Sequence, residues 1–185
     1  MDNITALPEV HGSQRQLSAS GPLRVKLLDP KTMAGDDMNA LWRKISTQDY
    51  AFDDNTRDDP RSFVLNLVSP ASYHFLVDES AYVVVRNVWK DSDCQIHFVL
   101  WDRNFSFHNV VEAGRQILEW AFKEQGVNRV SAYIPKFNAL ATRFASTMGF
   151  KYEGTLRKSL KFHGDFCDVD IYGILEKEFE RRFQQ

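Results

Sequence analysis

The chain lacks an excess of either charge, a long apolar run and any cluster of cysteines, and each shortage removes a class of function. Lysine and arginine number 23 against 25 aspartates and glutamates in 185 residues, a formal net charge of −2. A protein that grips a phosphate backbone needs a basic excess, so general nucleic-acid binding is disfavoured. The longest strongly apolar stretches, Ala81 to Val85 and Ile96 to Trp101, are far short of the ~20 residues that a membrane-spanning helix needs. The start, Met1-Asp2-Asn3-Ile4, has neither the cationic nor the apolar stretch of a secretory signal. A soluble protein of the cytoplasm, or of an assembly formed from cytoplasmic proteins, is therefore expected, with no membrane partner. The two cysteines, Cys94 and Cys167, form no CxxC or Cys/His cluster of zinc spacing. They fit a bridge or two buried thiols, and buried thiols in a reducing compartment are the preferred reading. What is present is 43% apolar and 26% charged side chains. At ~100–200 residues per domain, that is one domain with its own core.

Residues Met1 to Gly21 mix Pro8, Gly12, Ser13, Ser18, Ser20 and Gly21 with scattered apolars, too little apolar surface to offset the entropy of ordering. A flexible arm or partner-docking tail is expected there, followed by one folded unit from 22 to 185. Leu23 to Leu28 reads as a strand. Asp36-Asp37 then caps a helix carrying Met38, Leu41, Trp42 and Ile45 at i, i+3, i+4 and i+7. The acidic loop Asp53 to Pro60 is expected to be solvated, with a short helix after it through Phe63, Leu67 and Val68. Tyr73 to Val77, Ala81 to Trp89 and Cys94 to Trp101 read as three antiparallel strands on short turns. A long helix follows from about Asn109 to Gln125, then a strand Val127 to Ile134 and a helix Asn138 to Met148 ending at Gly149. Two last strands, Tyr152 to Phe162 and Asp168 to Leu175, meet at a turn around His163-Gly164-Asp165, and the charged end from Glu176 reads as a solvated terminus. A meander followed by βα crossovers places a parallel pair at the centre of a mixed α/β sheet, and ligands in such sheets favour strand C-termini beside a splay.

The run Gly149-Phe150-Lys151-Tyr152-Glu153-Gly154-Thr155-Leu156-Arg157, with Gly164, Asp168, Tyr172 and Glu178-Phe179 after it, resembles the C-terminal signature of the GNAT N-acetyltransferases. It is most similar to the Rim type, which acts on protein N-termini, and its relatives that act on small amines. Asn138 and Arg143 ahead of the Gly-Phe pair, and Glu112-Ala113 with Trp120-Ala121-Phe122, match the same family across roughly residues 94 to 179. The resemblance implies a GNAT fold: a six- to seven-stranded mixed sheet with helices on both faces, and acetyl-CoA as cofactor.

In that family the central strand ends at a loop Arg/Gln-x-x-Gly-x-Gly/Ala, whose backbone N–H groups hold a pyrophosphate at a helix N-terminus. Here the run is Arg103-Asn104-Phe105-Ser106-Phe107-His108: the arginine is kept and both glycines are replaced by side chains that should crowd a phosphate. A hydroxyl and an imidazole can themselves donate to phosphate. The resemblance therefore implies cofactor-binding roles for Trp101, Arg103, Ser106, His108, Asn109, Asn138 and Arg143. The positions where relatives carry a serine, a glutamate or a tyrosine for proton transfer hold Ala141, Leu160 and Ala145, none of which moves a proton. By elimination His97, on one strand face with Trp101 and beside Ser131 and Tyr133, is the candidate general base, with an unperturbed pKa of ~6.5.

Two functions are carried forward. One is an acyl-CoA-dependent N-acetyltransferase acting on a protein N-terminus or a small amine. The other is a catalytically inactive GNAT-fold binding or structural subunit of a larger assembly such as a virus particle, docking a protein partner through the N-terminal arm and the loop aromatics Phe105 and Phe107.

Overall fold

The computed structural model describes residues 23–183, so the expected arm from Met1 to Gly21 lies outside the described residues. Seven strands form a single sheet in the order β1-β2-β3-β4-β5-β7-β6. They are β1 Val25–Leu28, β2 Ser72–Val77, β3 Ala81–Arg86, β4 Asp93–Leu100, β5 Arg129–Pro135, β6 Lys151–Phe162 and β7 Asp165–Leu175. All neighbours are antiparallel except β4 and β5, which sit parallel at the centre, as the meander-then-crossover order implies. The tight ends are local in origin. His163 (φ 52°) and Gly164 (φ 85°) both take left-handed backbone, the conformation a two-residue hairpin between β6 and β7 requires.

Helices cover both faces. Alternate residues of β3 divide between them: Ala81, Val83 and Val85 enter the larger core, while Tyr82 and Val84 face the smaller one. The larger core lies under α3 (Phe107–Lys123), α4 (Ala139–Met148) and α5 (Glu176–Phe183). Its tightest point is Gly114 of α3, where an added Cβ would lie 2.6 Å from the Phe144 ring of α4; the absent side chain lets the two helices approach. The smaller core gathers Leu41 and Ile45 of α1 (Gly35–Ser46) with Phe63 and Leu67 of α2 (Pro60–Leu67) on Tyr82 and Val99.

Three sequence expectations are corrected. Asp36 and Asp37 lie within the first turn of α1, and the cap position is Ala34, without a side-chain hydrogen bond; the two carboxylates act on the helix dipole instead. The acidic loop is built in rather than solvated. Asp54 accepts from the His163 and Gly164 N–H groups at 2.8 Å each, Asp53 accepts from Asn55 and Thr56, and Asp59 caps α2. Finally, the charged end forms α5, because Phe179 is buried against Phe122 at 5.3 Å, a tertiary contact invisible to a charge pattern. Cys94 is buried and Cys167 half-buried, both as free thiols.

Candidate functional site: the opening between the parallel strands

β4 and β5 pair only from Asp93↔Arg129 to Gln95↔Ser131, yet both strands run on, β4 to Leu100 on β3 and β5 to Pro135 on β7. Beyond Gln95 they diverge. The Leu100 N–H donates to the Tyr50 hydroxyl (2.9 Å), which in turn donates to the Leu100 carbonyl (2.7 Å). Leu100 therefore turns its backbone groups away from β3, and by the alternation of an antiparallel ladder Phe98 does the same. The Phe98 N–H and C=O thus face the opening, where β5 offers no partner. Burial holds the Tyr50 phenol above its ordinary pKa, so it stays a neutral donor-acceptor. Nothing in the sequence marks Tyr50, because its partner lies far away in the chain.

At the mouth of the opening stands the N-terminus of α3. The Ser106 hydroxyl accepts from Asn109 N–H at 3.1 Å and its carbonyl accepts from Val110 N–H. The N–H groups of Phe107 and His108, in the first turn, have no acceptor among the described residues. No residue of the loop from Trp101 to His108 has positive φ, so replacing the glycines of related loops strains nothing here. Ser106 and His108 are exposed, as is Arg103. Arg143 of α4 lies 4.3 Å above the Phe107 ring, which brings a second exposed arginine to the same helix end. The loop acid Asp102 is turned away, accepting from Ser80 and from Asn104 N–H. Arg103, Ser106, His108, Asn109 and Arg143 thus surround one helix N-terminus, and the donors and charges suit a pyrophosphate.

Two other candidates are engaged elsewhere. Trp101 donates from Nε1 to the Glu79 carbonyl at 2.8 Å and lies beneath Lys44. The Asn138 side-chain oxygen caps α4 by accepting from Ala141 N–H at 3.0 Å. Of the proton-transfer positions, Ala145 is core and Ala141 and Leu160 are half-buried. The loop aromatics are also spent: Phe105 packs on the larger core and Phe107 lies under Arg143, so neither is a free docking surface.

On the opposite face, beside the point where β4 and β5 part, lie His97, Tyr133, Ser131 and Arg86. Arg86, Gln95 and Ser131 are in line across β3, β4 and β5, with His97 paired to Val84 one step further. His97 is where alternation placed it, but its chemistry differs from the expectation of a base poised near neutrality. Burial, and then the charge of Arg86, push its pKa down to about 3, and its Nε2 is buried without a hydrogen-bond partner. It is a neutral imidazole of low basicity throughout the physiological range.

No family model matches the chain. The uncharacterized N-acetyltransferase YnaD of Bacillus subtilis (strain 168) is 26% identical over 108 residues, covering 50% of this chain and 64% of that protein. The uncharacterized N-acetyltransferase p20 of Bacillus licheniformis is 25% identical over 79 residues, 43% of this chain and 42% of that one. The matched region spans less than two thirds of either relative. Among solved structures, a GNAT-family acetyltransferase from Bacillus anthracis superposes with a TM-score of 0.65 at 21% identity, over 84% of this chain and 96% of that one. The spermidine N-acetyltransferase of Vibrio cholerae, solved with CoA and spermine, gives 0.70 at 14% identity over 85% and 97%. With its seven-stranded mixed sheet, its central parallel pair and its helices on both faces, this chain has the GNAT fold.

Proposed function

We propose that this protein is an acetyl-CoA-dependent N-acetyltransferase that passes the acetyl group to an amine, either a protein N-terminus or a small amine. The observation that carries the reading is the α3 N-terminus at the mouth of the β4/β5 opening, with two N–H groups lacking an acceptor among the described residues and Arg103, His108 and Arg143 around it. The names of the related proteins, and the CoA in the Vibrio cholerae complex, support the same class. Bound there, the cofactor would supply an activated acyl group.

The chain's own residues then do three things. The Phe107 and His108 N–H groups and the arginines hold an anion at the helix end. The free backbone groups of Phe98 offer an edge to an amide-bearing arm. Positioning of the two reactants, which can supply ~7–11 kcal/mol, carries the acyl transfer in place of a dedicated base. His97 is too weakly basic to take a proton from an ammonium, so the amine must arrive neutral from solvent. Activity is expected to rise with pH along the amine's own titration, and His97→Gln to leave that inflection where it is. An inflection near neutrality that vanishes in His97→Gln would return the base role to His97.

Calorimetric titration with acetyl-CoA tests the binding step. The parent chain is expected to bind, with Arg143→Ala and Arg103→Ala each weakening affinity about tenfold or more, as loss of a charge-assisted contact does. A folded parent that gives no heat, or variants with unchanged affinity, would remove the helix end as the site.

A further inference from the structure

Arg86 stands on β3 with its side chain on the α1/α2 face, in line with Gln95 and Ser131 where the parallel strands begin to part. It is half-buried, its Nε is buried without a hydrogen-bond partner, and its side chain forms no ion pair or hydrogen bond among the described residues. The contrast is Arg129, on the same face two strands over on β5, whose guanidinium is held by both carboxylate oxygens of Glu153. Beside Arg86, His97 keeps a second buried nitrogen without a partner, and Tyr133 contributes a phenol with no hydrogen bond among the described residues. An Nε withdrawn from water is disfavoured unless it meets an acceptor, and the planar guanidinium fork matches a carboxylate with two parallel bonds. The described residues supply no such acceptor here.

We infer that Arg86 is the recognition site for an anionic group on the amine acceptor, a carboxylate held beside His97 and Tyr133. The inference rests on the acetyltransferase reading. The cofactor's phosphates belong to the α3 N-terminus at the strand ends, so they do not account for an unpaired cation here; the second substrate must bring the anion. A polyamine would instead bring positive charge against Arg86, which no carboxylate of the described residues pairs. A phosphate on the acceptor shares the same chemistry, and a single guanidinium beside a neutral imidazole favours the singly charged carboxylate.

The test offers the full-length protein ω-amino carboxylates, ω-aminoalkyl phosphonates, alkylamines and diamines of matched chain length, with acetyl-CoA, following both turnover and calorimetric binding. The carboxylates are expected to have the highest kcat/KM. In Arg86→Gln that preference over alkylamines should collapse about tenfold or more, mainly through KM, and Arg86→Lys should recover part of it. Melting curves of both variants establish that they fold. Preference for diamines, or a carboxylate preference that survives in Arg86→Gln, overturns the inference, and preference for phosphonates replaces the carboxylate with a phosphate. Carboxylate binding that depends on Arg86 without turnover of any amine would keep Arg86 as a carboxylate site while refuting the acetyltransferase reading, and with it the assignment of that carboxylate to an amine acceptor. A folded parent that neither binds these carboxylates nor turns over any amine would overturn the inference about Arg86.

Discussion

The two faces of the sheet are built on different principles. Under α3, α4 and α5 the strands present Val83, Val85, Cys94 and Val130, all buried in one apolar core, and Gly114 closes the helix packing to van der Waals distance. Under α1 and α2 the same strands present His74 bound to the Tyr82 hydroxyl, buried Ser131, and Arg86 Nε and His97 Nε2, which find no hydrogen-bond partner among the described residues. Both faces carry an apolar core, the larger on the first, and the second also holds buried polar atoms that cost stability in the absence of a ligand. Such a division is expected where one side of a sheet is scaffold and the other receives substrate.

The packed face is the place to break the molecule. Gly114→Ala drives a Cβ into Phe144, whose ring is itself backed by Phe98 at 5.5 Å, and overpacking of this kind costs ~1–3 kcal/mol. A clearly lowered melting temperature is expected; an unchanged one would mean that the two helices slide apart freely, and the contrast between the faces would fail.

Acid should act on the polar face first. Burial lowers the pKa of His74 to about 4 and of His97 to about 3, below their ordinary value near 6.5. The unfolded chain therefore binds more protons than the folded one between these values, and stability falls as pH drops from about 6.5 towards 4, by at most ~1.4 kcal/mol per pH unit per histidine. The carboxylates held down by partners, among them Asp54 by the His163–Gly164 turn and Glu112 by Arg115, contribute stability that is lost only lower, as pH falls through the carboxylate range. Urea unfolding at a series of pH values should show both windows, and His97→Gln should shallow the upper one alone. The smallest effect sharpens the comparison: Arg86→Met removes a partly buried, unpaired charge, so stability is expected to hold or rise by up to ~1 kcal/mol. A large loss in thermal melting would mean that Arg86 is structural.

Much of the frame was legible in the sequence because its causes are local. The spacing of Val110, Ala113, Gly114, Ile117, Leu118 and Ala121 marks α3, and Gly149 at φ 92° ends α4 as its position predicts. The proposed anion site from Arg103 to Asn109 is continuous in sequence, so it could be named from the sequence as a single segment. Arg143 was placed only by resemblance, and its seat above Phe107 is a matter of helix packing. Tyr50 and Arg86 carried no signal: one reads as a loop aromatic and the other as a polar residue at a strand end, until distant segments are brought against them.

The sequence by itself determined the order of strands and helices as far as β7, the parallel pair at the centre and the helix end beside it, since these follow from periodicity, capping and chain connectivity, whereas α5 waited on the burial of Phe179. Tertiary structure alone decided that β4 and β5 separate after Gln95, that Tyr50 holds the Leu100 edge, that His97 is a weak base and that Arg86 has no partner among the described residues. Register and desolvation depend on segments far apart in the chain, and it is desolvation, more than residue type, that sets the chemistry of the buried face.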